Sequence, residues 1–345
     1  MKNRRRGLWA FGLAALAIPQ VARWVRKEGS VKAMLDWQKE GMFDAVQILY
    51  EDEARIDGIY YSVVDRLPLS FSILKAERPE GLLQVVHGAQ EHKGYYEDFA
   101  QKMAEAGFTT LLSDNRGHGD SVSTAHPRGF ISSIDDIVID QYALAVYFKR
   151  RFPGLSLAMF GHSFGSLIVR NFIMRHDDIL DKLIMTGVVA YPPSAHFGLF
   201  VGNVEGFYTD EQKRGFFIRM MDHKTKAALH TVSNNADFLR AFKEDPLVIE
   251  NYTNGGAMAI WEAAARLKDY GRYLVKNPNL EVLALNGTRD PLTAGAKGLA
   301  DTAKTFYRLG YHNYENIVYP AMCHDLLHES ASRYIFEDLQ EFLQR

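Results

Sequence analysis

"MFGHSFGS", residues 159–166, places Gly161, Ser163 and Gly165 at alternate positions behind an apolar run. A Gly-x-Ser-x-Gly pattern is short enough to arise by chance, so its meaning depends on its flanks. As a nucleophile elbow it is a sharp turn between a buried strand and a helix, which lifts the serine hydroxyl clear of the backbone. Both flanks fit. "LSLAMF" before it is a short apolar run suited to a fully buried strand, and "SLIVRNFIMRH" after it sets Leu167, Ile168, Phe172 and Ile173 on one helical face. Side chains at 161 and 165 would crowd so sharp a turn, which gives the glycines a mechanical reason. The alternative is an ordinary tight turn that happens to hold a serine.

Outward from the elbow, strands and helices alternate. "GIYYSVVDRLPLSFSILKAE" reads as two strands with a turn, "GLLQVVHG" as a continuous apolar strand, "YYEDFAQKMAEAG" as a helix and "FTTLLSDNRGHGDS" as a strand. A helix over 133–151 leads into the elbow strand, and "DKLIMTGVVA" supplies the next. Such alternation implies crossover units and a parallel sheet. Residues 191–272 break the rhythm with helical patterns and read as an inserted cap. The alternation then resumes with "NLEVLALNG", a helix, "ENIVYP" and a final helix from about residue 330. The expected organisation is therefore an N-terminal segment with a helical connector over 1–56, a first core part over 57–190, the cap over 191–272 and a second core part over 273–345.

A serine hydroxyl is a poor nucleophile until a base takes its proton and a third group orients the base. The base belongs on a loop after the last strand, where "YPAMCHDLLHES" offers His324 and His328. The acid belongs after the preceding strand, where "LALNGTRDPLT" places Asp290. The order Ser163, Asp290, His324 is the one such a sheet requires. Outside catalysis, His324 would be a loop histidine and Asp290 a helix N-cap. His324 and His328, four apart, also invite a metal reading with Asp325 or Glu329. That pattern lacks the glutamate beside the first histidine that a zinc protease uses as base, so neither metal nor cofactor is expected. The oxyanion of an acyl transfer needs two N–H donors, expected from Phe164, after the nucleophile, and Ala89, in the loop after "QVVHG".

In this order, "HGAQEHKGYYEDFAQKMAEAGFTTLLSDNRGHGDS", "GHSFG", "NGTRDPLT" and "CHDLLHE" resemble the monoacylglycerol lipase and lysophospholipase group of the α/β-hydrolase superfamily, to which serine aminopeptidase-like hydrolases also belong. "FLRAFKEDPL" in the cap is similar too. The resemblance covers roughly residues 57–345. It implies the α/β-hydrolase fold, an eight-stranded, mostly parallel sheet under a helical cap, with Ser163 as nucleophile, Asp290 and His324 as its partners, and Ala89 and Phe164 as oxyanion donors. Gln90 stands where the group usually has a small residue or glycine. His87, His92, Arg116 and His118 read as structural, His162 as packing behind the elbow, and Cys323 as a small buried filler.

With 47% hydrophobic and 24% charged residues and a net charge of −2, the chain lacks the basic footprint of a nucleic-acid binder. Its one cysteine permits no internal disulfide. The N-terminus is unusual: Lys2, Arg4, Arg5 and Arg6 precede residues 7–22, which carry no charge, and Arg23, Arg26 and Lys27 follow. This reads as a signal peptide, with Ala15-Leu16-Ala17 as the cleavage site, or as a membrane anchor. Sixteen helical residues rise only about 24 Å against a hydrocarbon core of about 30 Å, and Pro19 should weaken the last turns. Membrane association through residues 7–25, or export, is the expectation; an apolar helix packed on a cytoplasmic domain is the alternative.

The leading functional reading is a serine hydrolase of lipid-like carboxylic esters with one acyl chain. "HFGLFVGNVEGF" and "GFFIRMM" in the cap would line an acyl tunnel, touch a membrane or form the cap's inner face. A peptidase of the same fold would need acids to hold a free amine, with Glu205, Asp210 and Glu211 as candidates. A non-catalytic ligand binder would have no need of all three triad residues.

Overall fold

The apolar run before the elbow belongs to a sheet covered on both faces. The computed structural model describes the backbone of residues 2–225 and 231–345 and the side chains of 14–220 and 231–345. Among these residues nine strands form one sheet: β1 (Val46–Glu51), β2 (Arg55–Tyr61), β3 (Pro68–Leu74), β4 (Gly81–Val86), β5 (Phe108–Ser113), β6 (Leu157–His162), β7 (Lys182–Thr186), β8 (Glu281–Gly287) and β9 (Tyr314–Tyr319), in the order β1-β2-β3-β5-β4-β6-β7-β8-β9. The first three strands pair antiparallel, as does β3 with β5; from β5 to β9 every pairing is parallel.

Alternate residues serve opposite cores. Leu82, Leu157, Met159, Leu183, Met185, Val282 and Ala284 face one, while Leu83, Val85, Ala158, Phe160, Ile184, Leu283 and Leu285 face the other. The first core lies under α1 (Lys2–Lys39), α3 (Ile134–Arg151) and α4 (Phe164–His176), and the second under α2 (Glu97–Glu105) and α10 (Arg333–Gln344). Double coverage is why these strands read as continuous apolar runs rather than alternating ones. Between β7 and β8 come α5 (Ala195–Thr209), α6 (Phe216–Thr225), α7 (Ala236–Glu244) and α8 (Asn254–Ala265); α9 (Gly295–Leu309) joins β8 to β9.

Two expectations need correcting. The sheet has nine strands rather than eight, because residues 28–56 are not helical throughout: α1 stops at Lys39 and β1 follows, bulged between Ile48 and Tyr50. This edge strand is mostly exposed, so burial imposes no period on its sequence. Pro19 lies inside α1, which continues to Lys39. A proline inside a helix forfeits one backbone bond, and here the following turns are tied to the cap by Arg23, which bonds Asn203 at 2.7 Å and Glu262 at 2.5 Å. No helix among the described residues is long and apolar enough to cross a membrane. The reading of residues 7–25 as a membrane segment falls partly on 7–13, whose side chains lie outside those described.

Candidate active site

Ser163 sits between β6 and α4 with φ 52° and ψ −114°, the left-handed side of backbone space where a residue with a Cβ is strained by about 1–3 kcal/mol. Its neighbours explain how the turn closes. A Cβ on Gly161 would overlap the Gly165 carbonyl, and one on Gly165 would overlap the Val86 carbonyl at the end of β4. The second glycine is therefore required by the adjacent strand, not by its partner across the turn.

The strand ends deliver the rest. His324 Nε2 lies 2.7 Å from Ser163 Oγ, and His324 Nδ1 lies 2.8 Å from Asp290 Oδ2, with all three residues buried. Asp290 also caps the short turn that follows it, its Oδ1 accepting the Leu292 N–H at 2.8 Å. Burial works against a charged imidazole at His324, but the hydrogen bond and charge of Asp290 outweigh it and raise the pKa above the ordinary histidine value. Phe164 is the first residue of α4, so its N–H has no intrahelical acceptor. The Ala89 N–H likewise has no acceptor among the described residues. Both residues border the same cavity as Ser163 and His324.

His328 goes elsewhere. Its Nδ1 bonds Asp325 at 2.8 Å, its Nε2 lies 2.9 Å from the Tyr95 carbonyl, and its ring stacks on Phe238. Burial opposes its charge, yet Asp325 pushes its pKa up to about 9. The two histidines therefore turn to different partners and present no joint metal face. A different trio, Glu91, His162 and Asp325, brings one ligand atom each within 4.8 Å of the others. One oxygen of each acid is engaged: Glu91 Oε2 accepts from the Gly88 N–H at 2.9 Å and the Tyr96 hydroxyl at 2.8 Å, and Asp325 Oδ2 takes the His328 bond. Within the trio, His162 Nε2 lies 3.7 Å from Glu91 Oε1. Burial, then the charge of Asp325, lifts the Glu91 pKa to about 7.

Glu91 lacked a sequence signal beyond its place in "HGAQEH", yet it ties down the loop that carries Ala89. Gln90 adopts φ 68°, which accounts for the small residue or glycine usual there, and anchors the loop to the cap. Its N–H bonds the Tyr252 hydroxyl at 2.8 Å and its Nε2 bonds the Ile249 carbonyl at 2.7 Å. His87, His118 and Arg116 are buried and hydrogen-bonded within the core, and His92 bonds Asp245 of the cap at 2.8 Å. None of the four borders the cavity. His162 bonds Thr186 at 3.0 Å; it lies beside His324, with ring centroids 4.9 Å apart, rather than behind the elbow.

The cavity has a volume of about 390 Å³, walled on the cap side by Phe242, Tyr252, Ile260 and Trp261 and on the core side by Leu167, Val189 and Leu292. No residue of "HFGLFVGNVEGF" or of the described part of "GFFIRMM" lines it, so the tunnel reading of those stretches is corrected: the cap wall comes instead from α7, α8 and the segment between them. The acids considered for holding an amine also lie away from it. Glu205 accepts from the Phe217 N–H, Asp210 pairs with Lys213, and Glu211 pairs with Arg26.

A nine-stranded, mostly parallel sheet that holds a serine on a strained strand-to-helix turn, beneath a helical cap, defines the α/β-hydrolase class. Residues 77–331 match the family described as serine aminopeptidase, S33, and the chain belongs to that family. A monoacylglycerol lipase of Mycolicibacterium smegmatis is 24% identical over 273 residues, covering 77% of this chain and 88% of that protein. Lysophospholipase L2 of Escherichia coli is 28% identical over 152 residues, covering 41% of this chain and 42% of that one. Among solved structures, a thermostable carboxyl esterase from Bacillus coagulans superposes with a TM-score of 0.75 at 21% identity, over 85% of this chain and 99% of that one. The relatives to which the chain is similar are thus named as lipases and esterases, while the solved structure bears on the fold.

Proposed function

We propose that the chain hydrolyses single-chain lipid esters, monoacylglycerols or lysophospholipids, through an acyl-enzyme on Ser163. The observation that carries this is the continuous Ser163–His324–Asp290 hydrogen-bond chain at the floor of a largely apolar cavity. His324 Nε2 takes the Ser163 proton as Oγ adds to the ester carbonyl, and Asp290 holds the resulting imidazolium. The Ala89 and Phe164 N–H groups receive the oxyanion, a contribution of about 2.7–4 kcal/mol per donor. Collapse expels the glycerol-type alkoxide, which takes the proton from His324. Water, deprotonated by the same nitrogen, then attacks the acyl-enzyme and releases the fatty acid and free Ser163.

The test is labelling by a fluorophosphonate probe, with Ser163→Ala beside the native chain, followed by turnover of monoacylglycerols, lysophospholipids and aminoacyl amides. Labelling only in the native chain, with ester turnover dominant, supports the reading. Labelling that survives Ser163→Ala, or amides cleaved faster than every ester, refutes it.

A further inference from the structure

A surface helix ordinarily turns charges outward and apolar residues inward; over residues 14–25, α1 does the reverse. At 3.6 residues per turn, Ala14, Ala17, Ile18, Val21, Trp24 and Val25 share one arc of about 120°. All six are exposed, Trp24 at 60%. The opposite side holds buried Pro19 together with Arg23, whose guanidinium meets Asn203 and Glu262. Next along the helix, Arg26 pairs with Glu211 at 2.5 Å and Lys27 with Asp135 at 3.6 Å. Past Val25 the ordinary pattern returns, with Glu28, Lys32 and Lys39 replacing apolar residues on the same side.

The neighbouring α5 behaves alike. It sinks Gly198, Gly202 and Gly206 against α8 and leaves Phe197 (70%), Phe200, Phe207 and Tyr208 exposed. The two helices touch where the Tyr208 hydroxyl bonds the Ala15 carbonyl at 2.8 Å. Phe216 (78%) and Met220 extend the apolar surface onto α6.

We propose that the outer faces of α1 (residues 14–25) and α5 form a docking surface that lies in the plane of an anionic lipid bilayer. Water is a poor partner for such an area of aromatic and branched side chains. Lipid suits it, with Trp24, Tyr208 and the phenylalanines at headgroup depth, where amphipathic aromatics collect. The sequence supplies the electrostatic half: Lys2, Arg4, Arg5 and Arg6 lead the same helix, in a chain whose net charge is −2. The attraction to anionic headgroups is therefore concentrated at the end that must lie against them. A second protein copy would match the apolar area but leave those cations without a counterpart. The uncharged stretch 7–22 rises only about 24 Å as a helix against a hydrocarbon core of about 30 Å, so the helix lies on the bilayer rather than through it. The docking stands on these faces alone; that it brings substrate to Ser163 rests on the hydrolase reading. Trp261 would link the two, packing under Gly198 of α5 while walling the cavity.

The full-length chain should sediment with vesicles of phosphatidylcholine mixed with phosphatidylglycerol and be released by alkaline carbonate. Replacing Val21, Trp24 and Val25 together by serine should weaken partitioning about a hundredfold. Changing Lys2, Arg4, Arg5 and Arg6 to glutamine should cost about fivefold per cation on the mixed vesicles and little on pure phosphatidylcholine. Both variants should hydrolyse a soluble short-chain nitrophenyl ester like the native chain, which separates failed docking from failed catalysis. If the serine variant misfolds, Phe197→Ser with Phe216→Ser tests the same surface from the cap. Native protein that stays in the supernatant, folded variants that bind undiminished, or resistance to carbonate would overturn the proposal. So would a serine variant that only converts a dimer to a monomer in light scattering, which would make the face a self-association surface.

Discussion

Asp290 divides its carboxylate between two tasks, Oδ1 on the Leu292 N–H and Oδ2 on His324. Changing it to asparagine preserves an acceptor for the cap while removing the charge behind the imidazole, so kcat should fall by about 10⁴ with little change in stability. Alanine removes the cap as well, at a further cost of about 1 kcal/mol in denaturant melts. Ser163→Ala and His324→Ala should each lower kcat by about 10⁶, since members of such a unit fail together. His328→Ala should keep most of the activity, because its partners are Asp325 and Tyr95. Loss of activity in His328→Ala with survival in His324→Ala would reverse the assignment of the base. The base must be neutral to accept a proton, and His324 is raised above 6.5, so kcat/KM should climb with pH through a limb centred above that value. In Asp290→Asn the limb should move to lower pH, the sign expected when a stabilising negative charge is removed.

At the scale of elements, α8 contributes Ile260 and Trp261 to the cavity wall. Each buried methylene is worth about 0.8 kcal/mol, so kcat/KM should rise up to about fourfold per carbon along a series of esters until the cavity fills. Trp261→Ala should move that break to longer chains; a profile that peaks at acetate in the native chain would sink the lipid reading. The parallel strands were legible in the sequence because coverage on both faces makes them continuous apolar runs, and His324 and Asp290, which lie within hydrogen-bonding distance of each other, stood out by their places after strands. The exposed β1 had no such pattern. Nor could periodicity show that the outward side of α5 is its apolar side, because a helical stripe marks a face without saying what covers it. The reach of Gln90 to Ile249, across 159 positions of sequence, is visible only once the cap is folded over the loop.

For the molecule as a whole, the cations on the inward side of α1 join its parts. Glu262 lies between Arg23 and Arg266, and Arg266 also grips Asp135 at 2.6 and 2.9 Å. Burial opposes the Glu262 charge, but the two guanidiniums hold its carboxyl down to about 2. Glu262→Gln leaves Arg266 with Asp135 and Arg23 with Asn203, so it should destabilise by about 1–3 kcal/mol in denaturant melts, the cost of weakening a buried charged hydrogen-bond cluster. A loss below about 1 kcal/mol would mean water reaches the cluster. The His328–Asp325 pair adds a dependence on pH. A histidine raised from 6.5 to about 9 contributes stability that is complete below 6.5 and is lost as pH climbs through 9. His328→Gln should thus lower the melting temperature more at pH 6 than at pH 9.5.

The inward-facing cations of α1 bear on how its apolar outer face could be removed. Deleting the N-terminal helix is the obvious trim, yet it would leave Glu211 without Arg26, leave Glu262 and Asp135 with Arg266 as their shared counter-ion, and remove Trp37 and Met34 from the core; starting at Gly58 would also cut away β1. The oily side and the structural side are opposite halves of one cylinder. Repainting positions 14, 17, 18, 21, 24 and 25 with polar residues would improve solubility and leave the scaffold whole, whereas shortening the gene would trade one handling problem for a worse one.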